Sequence, residues 1–171
     1  MNQAPDHAKL LAQAVDIYEF RVAVPEDIEH LVGLYGEYFA ESYLPGMGLV
    51  YDPKRAWSTL YRHISKGDNP HLIAVEKKTS KLVGAVSYNI NHDFTTEPFA
   101  NLDKLYVLPK WRKSAVGRVL MTLCLEIARA DKAIAFNAPL NSGLAETRSA
   151  ANMLAKLGFE MTDAVIMTRR F

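Results

Sequence analysis

The chain is 171 residues long, 49% hydrophobic and 23% charged, with a formal net charge of +1. That length fits one domain over residues 1–171 that buries its own core, and the balance of charge excludes a long-range field drawing it to nucleic acid or an anionic membrane, so a bound anion must be held locally. A single cysteine, Cys124, excludes an internal disulfide, no apolar run reaches the roughly 18 residues of a membrane helix, and the first residues, with Asp6 and His7, lack a signal-peptide core, so a cytoplasmic protein is expected.

Residues Met1 to Ile17 read as a loosely attached arm or short helix. Glu19 to Ala23 alternates like a short strand. Pro25, Glu26 and Asp27 then favour a helix start, and Ile28, Leu31, Val32, Tyr35, Tyr38 and Phe39 mark one buried helical stripe to about Ala40. Pro45, Gly46 and Gly48 make Ser42 to Asp52 a loop. A second helix, with Trp57, Leu60, Tyr61 and Ile64 at helical spacing, starts at Pro53 and stops at Gly67. His71–Glu76 and Lys81–Ile90 are rich in strand formers and close enough for an antiparallel hairpin.

A third strand from about Phe99 to Leu108 ends at Pro109, which cannot donate a ladder hydrogen bond. A long helix carries Val116, Val119, Leu120, Leu123, Cys124, Ile127 and Ala128 on one face, so Cys124 reads as core filler. Lys132–Phe136 resumes as a strand, Leu144–Leu157 as a last helix closed by Gly158, and residues 159–161 and 164–170 as a final strand pair. The strand, turn, helix and strand between Phe99 and Phe136 have the length of a parallel crossover set among antiparallel hairpins. The expected fold is therefore α/β, in three layers α/β/α, with a mixed, mostly antiparallel sheet of about six to seven strands and four main helices.

Chemistry concentrates after the third strand. Small residues Ser114, Ala115 and Gly117 let backbone N–H groups approach a phosphate, the helix start adds partial positive charge, and Arg112, Lys113 and Arg118 add full charges. The run Arg112-Lys113-Ser114-Ala115-Val116-Gly117, after Val107-Leu108-Pro109, resembles the pyrophosphate-binding motif of the GNAT (GCN5-related N-acetyltransferase) superfamily, with Ala115 in place of its first glycine. Three further stretches are similar to that family in the same order. They are Phe20–Ala23 followed by Pro25-Glu26-Asp27, then Lys81–Gly84, then Lys156-Leu157-Gly158-Phe159.

The resemblance, over roughly Phe20 to Arg170, implies an acyltransferase that moves an acetyl group from acetyl-CoA to a primary amine of a small molecule or protein. It implies that Leu105 and Val107 bond the pantetheine arm and that Arg112, Lys113, Ser114, Ala115, Val116, Gly117 and Arg118 hold the diphosphate. Asn137 and Asn141, in a connection longer than usual for the family, could close over the pantetheine or acceptor. A base is needed to take the amine proton. The family's strand glutamate is replaced here by Asn101, so Asp103 is the preferred base, followed by Glu97 and then His92. The family's acid tyrosine falls at Leu154, which cannot donate a proton; Tyr106, Ser142 and Ser149 are substitutes.

The Ser42 to Asp52 loop and the segment from Asn91 to Pro98 should select the acceptor, and no metal site is expected. A catalytically weak acyl-CoA-binding sensor or structural domain is the alternative, since Ala115 and Leu154 both depart from the motif. A nucleic-acid module built on Lys110, Arg112, Lys113 and Arg118 comes third, because that patch is compact. Look-alikes are commonly dimers, so a homodimer is an open option.

Overall fold

The computed structural model describes residues 12–67, 69–92, 95–140 and 147–161. Residues 12–17 are helical, and the main elements follow as β1 (Tyr18–Val22), α1 (Ile28–Glu41), α2 (Pro53–Lys66), β2 (His71–Glu76), β3 (Lys81–Asn91), β4 (Phe99–Val107), α3 (Val116–Ala130), β5 (Phe136–Asn137) and α4 (Thr147–Lys156). Short 3-10 turns open at Pro25, Pro45 and Pro109, where the fixed φ of proline suits the first helical position.

Local chemistry sets the element ends. Arg21 grips Asp27 with two bonds, at 2.5 and 2.8 Å, and the Val24 amide donates to the same carboxylate at 2.8 Å, tying the end of β1 to the start of α1. Asp52 caps α2 by accepting from the Lys54 and Arg55 amides, and Gly67, at φ 71°, turns the chain out of it.

The strands lie in the order β1-β2-β3-β4-β5, antiparallel except for β4 and β5. The two faces are covered by different helices. Tyr106 packs edge-on against Tyr38 of α1, while its strand neighbour Val107, with Gly84, meets Val116 and Gly117 of α3 on the opposite face. Burial on both sides explains why β2 and β3 read as continuous apolar runs. Cys124 is fully buried, its thiol pushed by burial up to about 12, an inert filler of the α3 face.

The mixed, mostly antiparallel sheet and the four main helices agree with expectation; the strand count does not. Five strands are present among the described residues. Residues 159–161 are irregular, and 164–170 lie outside the described residues, as do 144–146 at the expected start of α4. The strand expected over Lys132–Phe136 shrinks to Phe136–Asn137 because Lys132 takes a left-handed φ of 66°, and the Lys132 and Ala133 amides bond back to Arg129 and Ala128. Those residues end α3 and leave only two for pairing, Phe136 with Ala100 and Asn137 with Asn101.

Candidate functional site

The turn between β4 and α3 is fastened to the β2–β3 hairpin. Trp111 is buried, donates from Nε1 to Glu76 at 3.2 Å, and has Lys81 and Lys110 over its ring at 5.2 and 4.9 Å. The Arg112 and Ser114 amides bond back to Pro109 and Trp111, and the Val116 amide reaches the Ser114 hydroxyl at 3.3 Å. The amides of Lys113, Ala115, Gly117 and Arg118 donate to no acceptor among the described residues, which makes the helix start a concentrated donor surface. Ala115 has φ −74°, an ordinary conformation for alanine, so losing the motif's first glycine introduces no backbone strain.

Two glycines frame this surface in opposite ways. A Cβ on Gly84 would lie 3.2 Å from Tyr106 O, Val107 Cγ2 and Val116 Cγ1, so Gly84 is needed for α3 to sit close on the sheet. Among the described residues, a Cβ on Gly117 would find only Val107 Cγ2 at 3.6 Å and Met153 Sδ at 3.8 Å, ordinary contacts. Packing among the described residues does not require glycine there. The space it leaves opens toward a cleft.

That cleft, of about 650 Å³, lies where β4 runs on past its two-residue pairing with β5. Of the residues expected at the site, it brings together Asp103, Leu105, Tyr106 and Val107 from β4 with Arg112, Lys113, Ser114, Ala115, Gly117 and Arg118. Ser149 and Leu154 of α4 line the facing wall. Val116 instead points into the core, fully buried. Glu97 and His92 are exposed and off the cleft lining. Asn137 donates to Asn101 Oδ1 at 3.1 Å and is likewise off the lining. Asn141 and Ser142 lie outside the described residues.

Arg112 is already engaged by the chain. Its Nε donates to the Val107 carbonyl at 2.8 Å, its Nη2 meets Glu41 at 2.6 Å, and its guanidinium lies 5.2 Å from the Tyr106 ring centre. The Tyr106 hydroxyl donates to the other oxygen of Glu41. Burial pushes the Tyr106 phenol up, and the adjacent Glu41 carboxylate adds to this. Burial also works to raise Glu41, but Tyr106 and Arg112 together hold it below the ordinary carboxylate value. Lys110, Lys113 and Arg118 make no ion pair among the described residues, and of these Lys113 and Arg118 line the cleft.

Asp103 sits at a bulge: Leu102 pairs with Tyr88 and Lys104 with Ser87, leaving Asp103 as the extra residue. Its Oδ2 accepts from Ser87 at 3.2 Å and from Lys104 at 2.7 Å. Sequence reasoning missed Glu41, Ser87 and Lys104. Glu41 is 71 residues from its partner Arg112, beyond any spacing rule. Ser87 did leave a signal, a hydroxyl following the apolar run Leu82 to Val86.

A model described as the acetyltransferase (GNAT) family matches residues 30–159. No curated protein matches this sequence. Solved structures with the same fold include the aminoglycoside N-acetyltransferase AAC(6')-Iy in complex with CoA, at 19% identity and TM-score 0.71 over 89% of this chain and 93% of that one. The aminoglycoside 6'-N-acetyltransferase AAC(6')-Ih from Acinetobacter baumannii aligns at 14% identity and TM-score 0.68 over 90% and 98%. A predicted acetyltransferase from Clostridium acetobutylicum, with acetyl-CoA, aligns at 14% and 0.67 over 90% and 96%.

Proposed function

The chain belongs to the GNAT acetyltransferase family, and on that premise we propose that it is an acetyl-CoA-dependent N-acetyltransferase acting on a primary amine of a small molecule or peptide. The observation that carries this reading is the turn from Arg112 to Arg118. Among the described residues, four amides without acceptors and a glycine that packing does not require meet at one end of a cleft. A diphosphate fits this donor set, with the helix start and the side chains of Lys113 and Arg118 adding positive charge.

In this reading the amides of Lys113, Ala115, Gly117 and Arg118 bind the diphosphate, and Leu105 and Val107 flank the pantetheine along β4. Arg112 acts through Glu41 and Val107, holding the turn against the end of α1. Acetyl-CoA supplies the acetyl group that the amine nitrogen takes up. Asp103 accepts the amine proton at the cleft surface. The Tyr106 hydroxyl, committed to Glu41, orders the cleft wall, and water protonates the departing thiolate. The aminoglycoside acetyltransferases that share the fold favour a small cationic amine as acceptor, which Asp103 suits by charge.

Leu154 favours a second reading, an acyl-CoA sensor without turnover. It lines the cleft, 4% exposed, where the family motif has tyrosine. Calorimetry with acetyl-CoA followed by thiol release across an amine panel separates the two. Binding with release of CoA is expected, binding without release indicates the sensor, and no binding overturns both.

A further inference from the structure

Ser87 is fully buried in the middle of β3, after five residues without a polar side chain. A hydroxyl in such surroundings persists only where a partner replaces the lost water. Its acceptor is Asp103 Oδ2, 3.2 Å away, and Lys104 Nζ approaches the same oxygen at 2.7 Å. The bulge makes this possible, because two consecutive side chains of β4 meet one serine of β3. Among the described residues no donor reaches Asp103 Oδ1, and Asp103 lines the cleft.

Behind Ser87 the buried face stays polar. Its cross-strand partner is His71, 3% exposed, whose Nδ1 lies 2.9 Å from the Tyr35 hydroxyl. Nε2 of His71 has no hydrogen-bond partner among the described residues. A polar cluster buried beside a cleft, in a sheet whose other buried side chains are mostly aliphatic or aromatic, is maintained at a cost in stability, as expected of a functional element.

We propose that Ser87 is a positioning residue for acetyl transfer: its hydroxyl fixes one oxygen of Asp103 so that the other is presented to the amine, and the Tyr35–His71 couple forms the rigid wall behind it. This rests on Asp103 as the base of the proposed reaction. The groups that act on this site are Lys104 on the same strand, Tyr35 and Tyr38 from α1, His71 from β2, and His63 of α2 stacked on His71 at 5.8 Å. Burial, with His63 next, lowers His71 to about 4, so it stays neutral across the assay range.

The test compares Ser87→Ala and Ser87→Thr in the full chain by steady-state kinetics with a primary alkylamine acceptor from pH 6 to 10. Ser87→Ala is expected to lower kcat on the order of tenfold near pH 7 and to leave the KM for acetyl-CoA unchanged. The deficit should narrow toward pH 10, where hydroxide increasingly takes the amine proton in place of Asp103, and Ser87→Thr, which keeps the hydroxyl, should recover most of the rate. Should the alanine variant fail to fold in a thermal melt, Ser87→Cys, with a weak donor of similar size, carries the same pH-dependent expectation. An equal deficit at every pH, or a threonine variant no better than alanine, overturns the assignment. So does an active wild type matched by Ser87→Ala. A wild type that binds acetyl-CoA but releases CoA to no amine overturns the functional reading, and this assignment with it.

Discussion

Replacing Gly117 with alanine separates a glycine kept for the ligand from one kept for the fold. Gly117 is the second residue of α3, and its φ lies outside the left-handed region, so alanine can adopt the backbone. The new methyl would sit 3.6 Å from Val107 Cγ2 and 3.8 Å from Met153 Sδ, within ordinary van der Waals contact of both. Alanine exceeds glycine in helix propensity by up to about 1 kcal/mol in a helix interior, and somewhat less is expected in a first turn. The apo protein should therefore gain roughly 0.5 kcal/mol, or about 1–2 °C in Tm. A phosphate oxygen accepting from the neighbouring amides at about 2.9 Å would compete with that methyl for the same space. Acetyl-CoA affinity should fall about tenfold, near 1.4 kcal/mol. Calorimetry and a thermal melt on the same preparation measure both effects. Unchanged affinity would show that the diphosphate is not held here, and a lower Tm would show that Gly117 serves packing after all.

Gly84→Val should behave in the opposite way, destabilising the apo protein by about 1–3 kcal/mol in a urea titration, because its Cβ already meets three atoms at 3.2 Å. Glu41→Gln should remove the charge that pairs with Arg112 at 2.6 Å, with a cost of about 1 kcal/mol for this part-exposed contact; a melt unchanged to within 1 °C would show that the pair contributes nothing. His71 makes stability depend on pH. Because burial and His63 lower it from the ordinary 6.5 to about 4, its contribution is complete above pH 6.5 and is lost as pH falls through that window, up to roughly 3 kcal/mol. Urea midpoints at pH 7 and pH 4.5 measure the loss, and His71→Gln, which keeps a polar partner for Tyr35, should flatten it.

Much of the fold was legible because it rests on local rules. The 3.6-residue stripe of α1, the proline and glycine that bound α2, and the β-branched runs of β2 and β3 fall within a few residues of their observed limits. The short β5 was overestimated because Ala133, Ile134 and Ala135 have strand-like sequence, yet Ile134 is 72% exposed and its amide bonds to Pro98 ahead of the pairing. Tertiary geometry, not propensity, chose the start of that strand. At the site, the phosphate turn was legible because its amides, small residues and charges are contiguous. The Glu41–Arg112–Tyr106 contact and the His71–Tyr35–Ser87–Asp103 cluster were not. Each joins residues from different elements, and the bulge that sets Asp103 against Ser87 leaves no mark in composition or period.

The amides at the front of α3 can be followed one by one. In a titration of 15N-labelled protein with acetyl-CoA, those of Lys113, Ala115, Gly117 and Arg118 should show the largest downfield proton shifts, as each gains a charged acceptor. Saturable binding that leaves these four resonances in place would contradict the account, because the diphosphate would then be held elsewhere.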